Sequence, residues 1–157
     1  MYEKLIKTVT NLGSPKVLLV GDFMLDIYTY GDAVRISPEA PVPVLNVTKT
    51  EYSGGGASSV AMDLATHGAE VICIGMIGKD QNADKLKSVL LQKNIDTNSL
   101  IASEKRPTIS KQRLIGLAQH RHQQQLFRMD SEICDNLSEK EAENILNIFK
   151  SHVNNCE

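Results

Sequence analysis

Residues 16 to 20, Lys-Val-Leu-Leu-Val, form a short apolar run that stops at Gly21-Asp22, the pattern of a first core strand buried on both faces of a parallel sheet. From Tyr28 to Tyr52 the character changes. Pro38, Pro41 and Pro43 interrupt, and Val44 to Thr50 mixes apolar and polar residues at strand spacing, which predicts a flap of edge strands and connections outside the core. Gly54-Gly55-Gly56 then leads a helix whose apolar positions are Ala57, Val60, Ala61, Leu64 and Ala65, closed by Gly68. Val71 to Ile77 reads as a second buried strand. Asp80 is placed to cap a helix with Ala83, Leu86, Val89 and Leu90 on its inner face, and Ile95 to Ile101 can hold a third strand. After Pro107 the period returns to two, with Ile109, Lys111 and Arg113 alternating against Thr108, Ser110 and Gln112, and a further strand is expected near Leu126 to Met129. Between them Gln119 to Gln125 reads as a polar loop. Ser138-Glu139-Lys140-Glu141 is a capping box ahead of Ala142, Ile145, Leu146 and Phe149.

Strand and helix in alternation predict an α/β fold with a parallel sheet and right-handed crossovers. With 157 residues, 41% of them apolar, the chain is long enough for one domain or part of one. Seventeen Lys and Arg against nineteen Asp and Glu give a charge of −2 and no basic run, so nucleic acid is not an expected partner. The longest apolar stretches fall far short of the roughly 20 residues a membrane helix needs. No membrane partner is expected, and the mixed-charge start Tyr2 to Lys7 has no secretory pattern, so the cytoplasm is the expected compartment. Cys73, Cys134 and Cys156 are widely spaced and imply neither a disulfide framework nor a zinc site; Cys73, between Ile72 and Ile74, reads as a small buried hydrophobe. His120 and His122 have no carboxylate or cysteine at a helpful spacing, so no metal site is expected.

Three features are candidates for chemistry. Asp22 and Asp26 follow the first strand, where ligands of open α/β sheets collect, and a carboxylate there can accept hydrogen bonds from a polyol; a solvated turn aspartate fits Asp26 equally well on these grounds. Gly54-Gly55-Gly56 lets backbone N–H groups approach a ligand next to a helix N-terminus, or serves as a hinge. It matches no Walker-type loop, and Gly75 to Asp80 has the wrong spacing for one. Lys111, Arg113 and Arg128 can clamp a phosphate, Arg through its planar fork and Lys as a point charge, or can simply be exposed strand cations.

Taken together, Val20 to Asp26 (Val-Gly-Asp-Phe-Met-Leu-Asp), Arg35 to Val44 (Arg-Ile-Ser-Pro-Glu-Ala-Pro-Val-Pro-Val) and Gly55 to Met62 resemble the ribokinase-like (PfkB) carbohydrate kinases. The Arg35 to Val44 stretch points within them to the heptose-kinase branch, found as the kinase domain of a bifunctional kinase and ADP-heptose synthase. Pro107 to Arg113 and Arg128-Met129-Asp130 follow the same pattern, and the resemblance runs over nearly the whole chain. It implies a partial ribokinase-like fold, with a core of about 1–27, 53–104 and 131–157 and a β-strand lid of about 28–52 and 105–130. It implies ATP- and magnesium-dependent phosphorylation of the anomeric hydroxyl of D-glycero-β-D-manno-heptose 7-phosphate, toward ADP-heptose for lipopolysaccharide. Carried over, Asp26 binds sugar hydroxyls, Gly55 and Gly56 line the sugar site, Lys111, Arg113 and Arg128 face the 7-phosphate, and the lid makes a homodimer contact. Ser59 stands where the family has a sugar-contacting Asn, and Gln119 to Gln125 is longer than usual. The family's catalytic base and γ-phosphate donors come from a Gly-Ala-Gly-Asp-type segment, whereas all ten glycines here lie at or before Gly116. The expectation is therefore the sugar-binding half of a kinase, inactive alone and not itself holding ATP or magnesium. A companion chain would supply the remainder; the alternative is a non-catalytic module that binds a phosphosugar or a partner.

Overall fold

Val17 to Val20 and Val71 to Ile77 pair with each other as the two core strands expected, but only the second is buried on both faces; the first is half-buried and ends at Val20, 46% exposed. The computed structural model describes residues 2–11, 13–117 and 122–156. It begins with α1 (Tyr2–Thr10), then β1 (Lys16–Val20), β2 (Phe23–Ile36), β3 (Pro43–Gly56), α2 (Ala57–Thr66), β4 (Glu70–Gly78), α3 (Gln81–Leu91) and β5 (Leu100–Ser103). These are followed by β6 (Ile109–Leu117), β7 (Gln124–Ser131), α4 (Glu139–His152) and a 3-10 turn, Val153–Asn155. The strands form two sheets, a parallel one in the order β1-β4-β5 and a four-stranded one in the order β3-β2-β6-β7. In the first, Lys16 stands beside Glu70, Val20 beside Ile74 and Gly75 beside Leu100. The expected α/β architecture, a parallel sheet flanked by helices with a separate β-layer, is the one observed.

A single apolar cluster joins the layers. Phe23, Leu25 and Ile27 of β2 pack with Val71, Cys73 and Ile77 of β4, Ala61 of α2 and Ala83, Leu86 and Leu90 of α3. Cys73 is fully buried, and burial, with a smaller contribution from Asp96, pushes its thiol up to about 12. The helix ends follow their sequence signals. Asp80 accepts a hydrogen bond from the Ala83 N–H, Ser138 and Glu141 form a reciprocal capping box, and Gly68, just past α2, has φ +89°.

Several expectations are corrected. The N-terminal segment, which carried no element assignment, is helical, with Tyr2, Leu5, Ile6 and Val9 all exposed. The third core strand starts at Leu100 rather than Ile95, because Asp96 accepts from the Asn98 N–H (2.8 Å) and Leu100 N–H reaches Thr97 (3.2 Å) in a turn that occupies the earlier positions. Val60 is 47% exposed and does not join the core face of α2. Phe23, Leu25 and Ile27 belong to the apolar core, while the backbone from Phe23 to Ile27 hydrogen-bonds into the second sheet, since β2 runs unbroken from Phe23. Gly54 to Gly56 likewise end β3 rather than only leading α2. The expected polar loop and the pair His120 and His122 fall partly on 118–121, outside the described residues.

Candidate functional site

Strand β2 sorts its side chains by parity. Phe23, Leu25, Ile27 and Thr29 are buried against the helices, whereas Met24, Asp26, Tyr28 and Tyr30 lie half-buried on the other face. The neighbouring register extends that second face across the sheet. Asp26 stands beside Ser53 on β3 and Lys111 on β6, and Tyr28 beside Arg113. Across the next ladder, Lys111 faces Asp130 and Arg113 faces Arg128 on β7. The alternation read after Pro107 thus places Lys111 and Arg113 on one face. The polar partners on its other face are the buried ones: Thr108 is fully buried and Ser110 is 5% exposed. They are satisfied by the core rather than by water. Thr108 Oγ1 accepts from the Gly78 N–H and donates to Asp80 Oδ1, and Asn82 donates to Ser110.

At the inner end of this face Arg113 Nη1 donates to Asp26 Oδ1 at 2.8 Å, with side chains 22% and 16% exposed. The guanidinium also lies over the Tyr28 ring, 5.1 Å from its centroid. The hydrogen bond to Asp26 holds Arg113 protonated above its ordinary range, with burial opposing. The second carboxylate oxygen, Oδ2, lies against Gly55. A Cβ on Gly55 would stand 2.9 Å from it and 3.0 Å from Met24 Cγ, so the absent side chain leaves the room in which the carboxylate sits. Gly56, at φ +52°, turns the chain from β3 into α2, and the Ala57 N–H is tied to the Asp22 carbonyl at 3.0 Å.

Farther along, Lys111 Nζ reaches Asp130 Oδ2 (3.2 Å) and Glu132 Oε2 (3.4 Å), and Arg128 grips both oxygens of Asp130 at 2.9 and 3.0 Å. Partial burial resists ionisation of Asp130, but the Lys111 and Arg128 contacts outweigh it and hold the carboxyl below its ordinary range. Of the residues singled out in sequence, Asp26, Gly55, Lys111, Arg113 and Arg128 share this face, with Gly56 at its inner corner. Ser59 lies exposed in the first turn of α2. The sequence reading missed the acidic half of the cluster, Asp130 and Glu132, and Tyr28. Antiparallel pairing of the two period-two runs was the signal that sets Asp130 opposite Lys111. The stretch Arg35 to Val44 forms the tip of the β2–β3 hairpin, where Ser37 N–H donates to the Val42 carbonyl at 2.8 Å. Nine residues of strand separate it from Asp26, roughly 30 Å at the usual rise, so it does not line the Asp26 site of its own chain.

A separate cavity of about 580 Å³ lies beyond the carboxyl ends of β1 and β4, bounded by Asp22, Met76, Arg106, Glu132 and Asp135 among others. Arg106 closes one wall by donating to the carbonyls of Ile133 (3.3 Å), Asp135 (2.7 Å) and Asn136 (2.6 Å). Among the described residues, no group of three or more His, Cys, Asp or Glu is placed to hold a metal, and no helix is long and apolar enough to cross a membrane.

Comparison with known proteins places this architecture. The bifunctional protein HldE of Aliarcobacter butzleri is 40% identical over 139 residues, covering 88% of this chain and 28% of that protein. HldE of Haemophilus influenzae strain PittEE is 41% identical over 140 residues, 89% of this chain and 28% of the relative. That of Granulibacter bethesdensis is 39% identical over 148, or 93% and 29%. The chain thus spans under a third of the length of these relatives. Among solved structures, a putative sugar kinase from Clostridium perfringens superposes with TM-score 0.62 at 13% identity, over 87% of this chain and 41% of that one. Arabidopsis thaliana ribokinase complexed with ribose and ATP gives 0.55 at 15%, over 83% and 42%; these two show the fold alone. The pfkB family carbohydrate kinase model matches residues 14–153, and with that match and relatives near 40% identity the chain belongs to the pfkB family of carbohydrate kinases.

Proposed function

We propose that this chain is the sugar-binding half of a heptose 7-phosphate kinase, which positions the phosphosugar for ATP-dependent phosphorylation of its anomeric hydroxyl. The observation that carries the reading is Asp26: one oxygen is fixed by Arg113, and the other, packed beside Gly55, has no hydrogen-bond partner among the described residues, so a carboxylate with an unspent oxygen stands ready for hydroxyl donors. Gly55 packs on that carboxylate, Gly56 turns the chain into α2, Ser59 is exposed in the first turn of that helix, and Lys111, Arg113 and Arg128 continue the face of Asp26 as the candidates for the phosphate end of a sugar. The resemblance of Arg35 to Val44 to the heptose branch supports the choice of sugar. Cytoplasmic chemistry fits a phosphorylated substrate.

ATP and magnesium belong to the reaction of the complete family enzyme, and the residues lining the large cavity of this chain do not fit the nucleotide. The cavity beyond β1 and β4 is lined by the acidic residues Asp22, Glu132 and Asp135, and its Arg106 is spent on backbone carbonyls, a poor setting for a triphosphate. No step through the nucleotide is derived. This chain by itself is therefore read as binding phosphosugar without turning over ATP. Among the described residues no strand pairs with the outer edge of β1, where Val20 is 46% exposed, and this supports a companion polypeptide that extends the parallel sheet. Val34, Ile36, Val42, Val47 and Phe127, exposed on the lid, support a homodimer formed through it. A coupled ADP-release assay with heptose 7-phosphate tests the reading beside calorimetry. The expected result is sugar-phosphate binding without turnover, with turnover appearing when the C-terminal part of a kinase domain is added. Robust turnover by this polypeptide alone would refute the inactivity, and absence of binding would refute the sugar role. The same cavity chemistry favours, as a second reading, a non-catalytic phosphosugar-binding module, which predicts that no added polypeptide restores turnover.

A further inference from the structure

The cation face of the lid carries its own anions. Lys111, Arg113 and Arg128 each have a carboxylate partner within 3.2 Å, and the partners Asp26, Asp130 and Glu132 match them charge for charge. The cluster as folded is neutral. Asp130 is the shared element: its Oδ2 takes both Lys111 Nζ (3.2 Å) and Arg128 Nη2 (3.0 Å), while Oδ1 takes Arg128 Nε (2.9 Å). Two oxygens facing an Arg fork and a Lys point charge is the arrangement in which a phosphate would otherwise be held. The Asp130 side chain is 24% exposed, that of Lys111 22% and that of Arg128 51%, so the pairing is open to an anion arriving from solvent.

We propose that Asp130 is a resident counter-ion that occupies the phosphate position of Lys111 and Arg128, and that it sets the affinity of this face for anions. The inference rests on the reading of this face as the ligand face. A phosphate group has to displace Asp130 before it meets both cations, and its own charge is repelled by the carboxylate until it does. A free anion has nothing else to offer. A phosphosugar also engages Asp26, and that additional binding free energy drives the displacement. The result is a threshold: the displacement cost falls equally on every phosphate, and a ligand with no further contact stays weakly bound while a phosphosugar clears it, with Asp130 setting the affinity of the face.

Calorimetry with inorganic phosphate as the probe, on the whole chain and its Asp130→Asn variant, tests this. If the paired state dominates by about ten to one, removing the competing charge raises phosphate affinity about tenfold, because apparent affinity scales with the fraction of competent sites. Glu132→Gln, which relieves only the 3.4 Å contact to Lys111, raises it by less. Heptose 7-phosphate gains by about the same factor in Asp130→Asn, because the displacement is common to both ligands. Unchanged or weaker phosphate binding by a folded Asp130→Asn variant overturns the proposal. Should that variant fail to fold, Glu132→Gln decides it: tighter phosphate binding upholds it and unchanged or weaker binding overturns it. A wild-type chain that fails to bind heptose 7-phosphate, beside an Asp130→Asn variant that gains phosphate affinity, removes the sugar reading and leaves the counter-ion role standing. Heptose 7-phosphate binding without any gain for phosphate does the reverse.

Discussion

Replacing Asp80 by Ala separates the two sheets at their best-stitched point. Its carboxylate caps α3 through the Ala83 N–H (2.9 Å) and also accepts from the Thr108 N–H and Thr108 Oγ1, both at 2.8 Å. Thr108 is fully buried and opens the segment that runs into β6, the strand carrying Lys111 and Arg113. Loss of the cap costs about 1 kcal/mol, and stranding the Thr108 N–H without an acceptor costs about 1 to 3 kcal/mol more. The expected destabilisation is about 2 to 4 kcal/mol, a large part of the roughly 5 to 15 kcal/mol that holds a domain together. Urea unfolding followed by far-ultraviolet circular dichroism measures it. Asp80→Asn keeps the side chain's shape and one acceptor but turns an amide N–H toward Thr108, so it falls between wild type and Ala. Burial alone would raise the Asp80 carboxyl, but the hydrogen bonds from Thr108, Ala83 and Asn82 outweigh it and leave it below its ordinary range. A group depressed by folding contributes stability that is present above its unfolded value and is lost as pH falls through the folded one. The gap between wild type and Asp80→Asn should therefore shrink on acidification below about pH 4. An Asp80→Ala chain within about 0.5 kcal/mol of wild type, the range of ordinary surface substitutions, would refute this account of how β6 is anchored.

Two further perturbations address the site and the core. Gly55→Ala drives a methyl group to 2.9 Å from Asp26 Oδ2 and 3.0 Å from its Cγ. Because Arg113 pins the other oxygen, we expect about 1 to 3 kcal/mol of overpacking cost and weaker phosphosugar binding in calorimetry; unaltered affinity and melting would show the carboxylate free to move. Cys73, with its thiol pushed up to about 12 by burial, should resist iodoacetamide at pH 8 until urea is added, while exposed Cys134 alkylates at once, as read by peptide mass spectrometry. Equal labelling rates would contradict the packing of β4.

The sequence was most readable where one signal acted locally. The uniform apolar runs of β1 and β4, the Asp80 cap and the Ser138 capping box each name their element without help from the rest of the chain. Legibility failed where tertiary context decides. Thr108 and Ser110 look like the wet side of β6 and are its dry side, because Asp80, Gly78 and Asn82 supply their hydrogen bonds from the core. The Asx turn at Asp96 takes the start of an otherwise strand-like segment. In the candidate site, Asp26, the glycine pair and the three cations were visible as residue types at suggestive spacings. Their mutual neutralisation was not, since it depends on the register that brings Asp26 to Lys111 and Lys111 to Asp130 across three strands.

The claim proposed at the centre of this account is that the Asp26 carboxylate, seated against Gly55 with one oxygen on Arg113, grips the hydroxyls of a phosphosugar. Titration of D-glycero-β-D-manno-heptose 7-phosphate into the wild-type chain and into Asp26→Ala tests it most directly. Loss of carboxylate–hydroxyl bonds at about 1.5 kcal/mol or more predicts binding to the wild type and at least a tenfold weaker dissociation constant for the variant. Equal affinity of the two, with both folded, would contradict it.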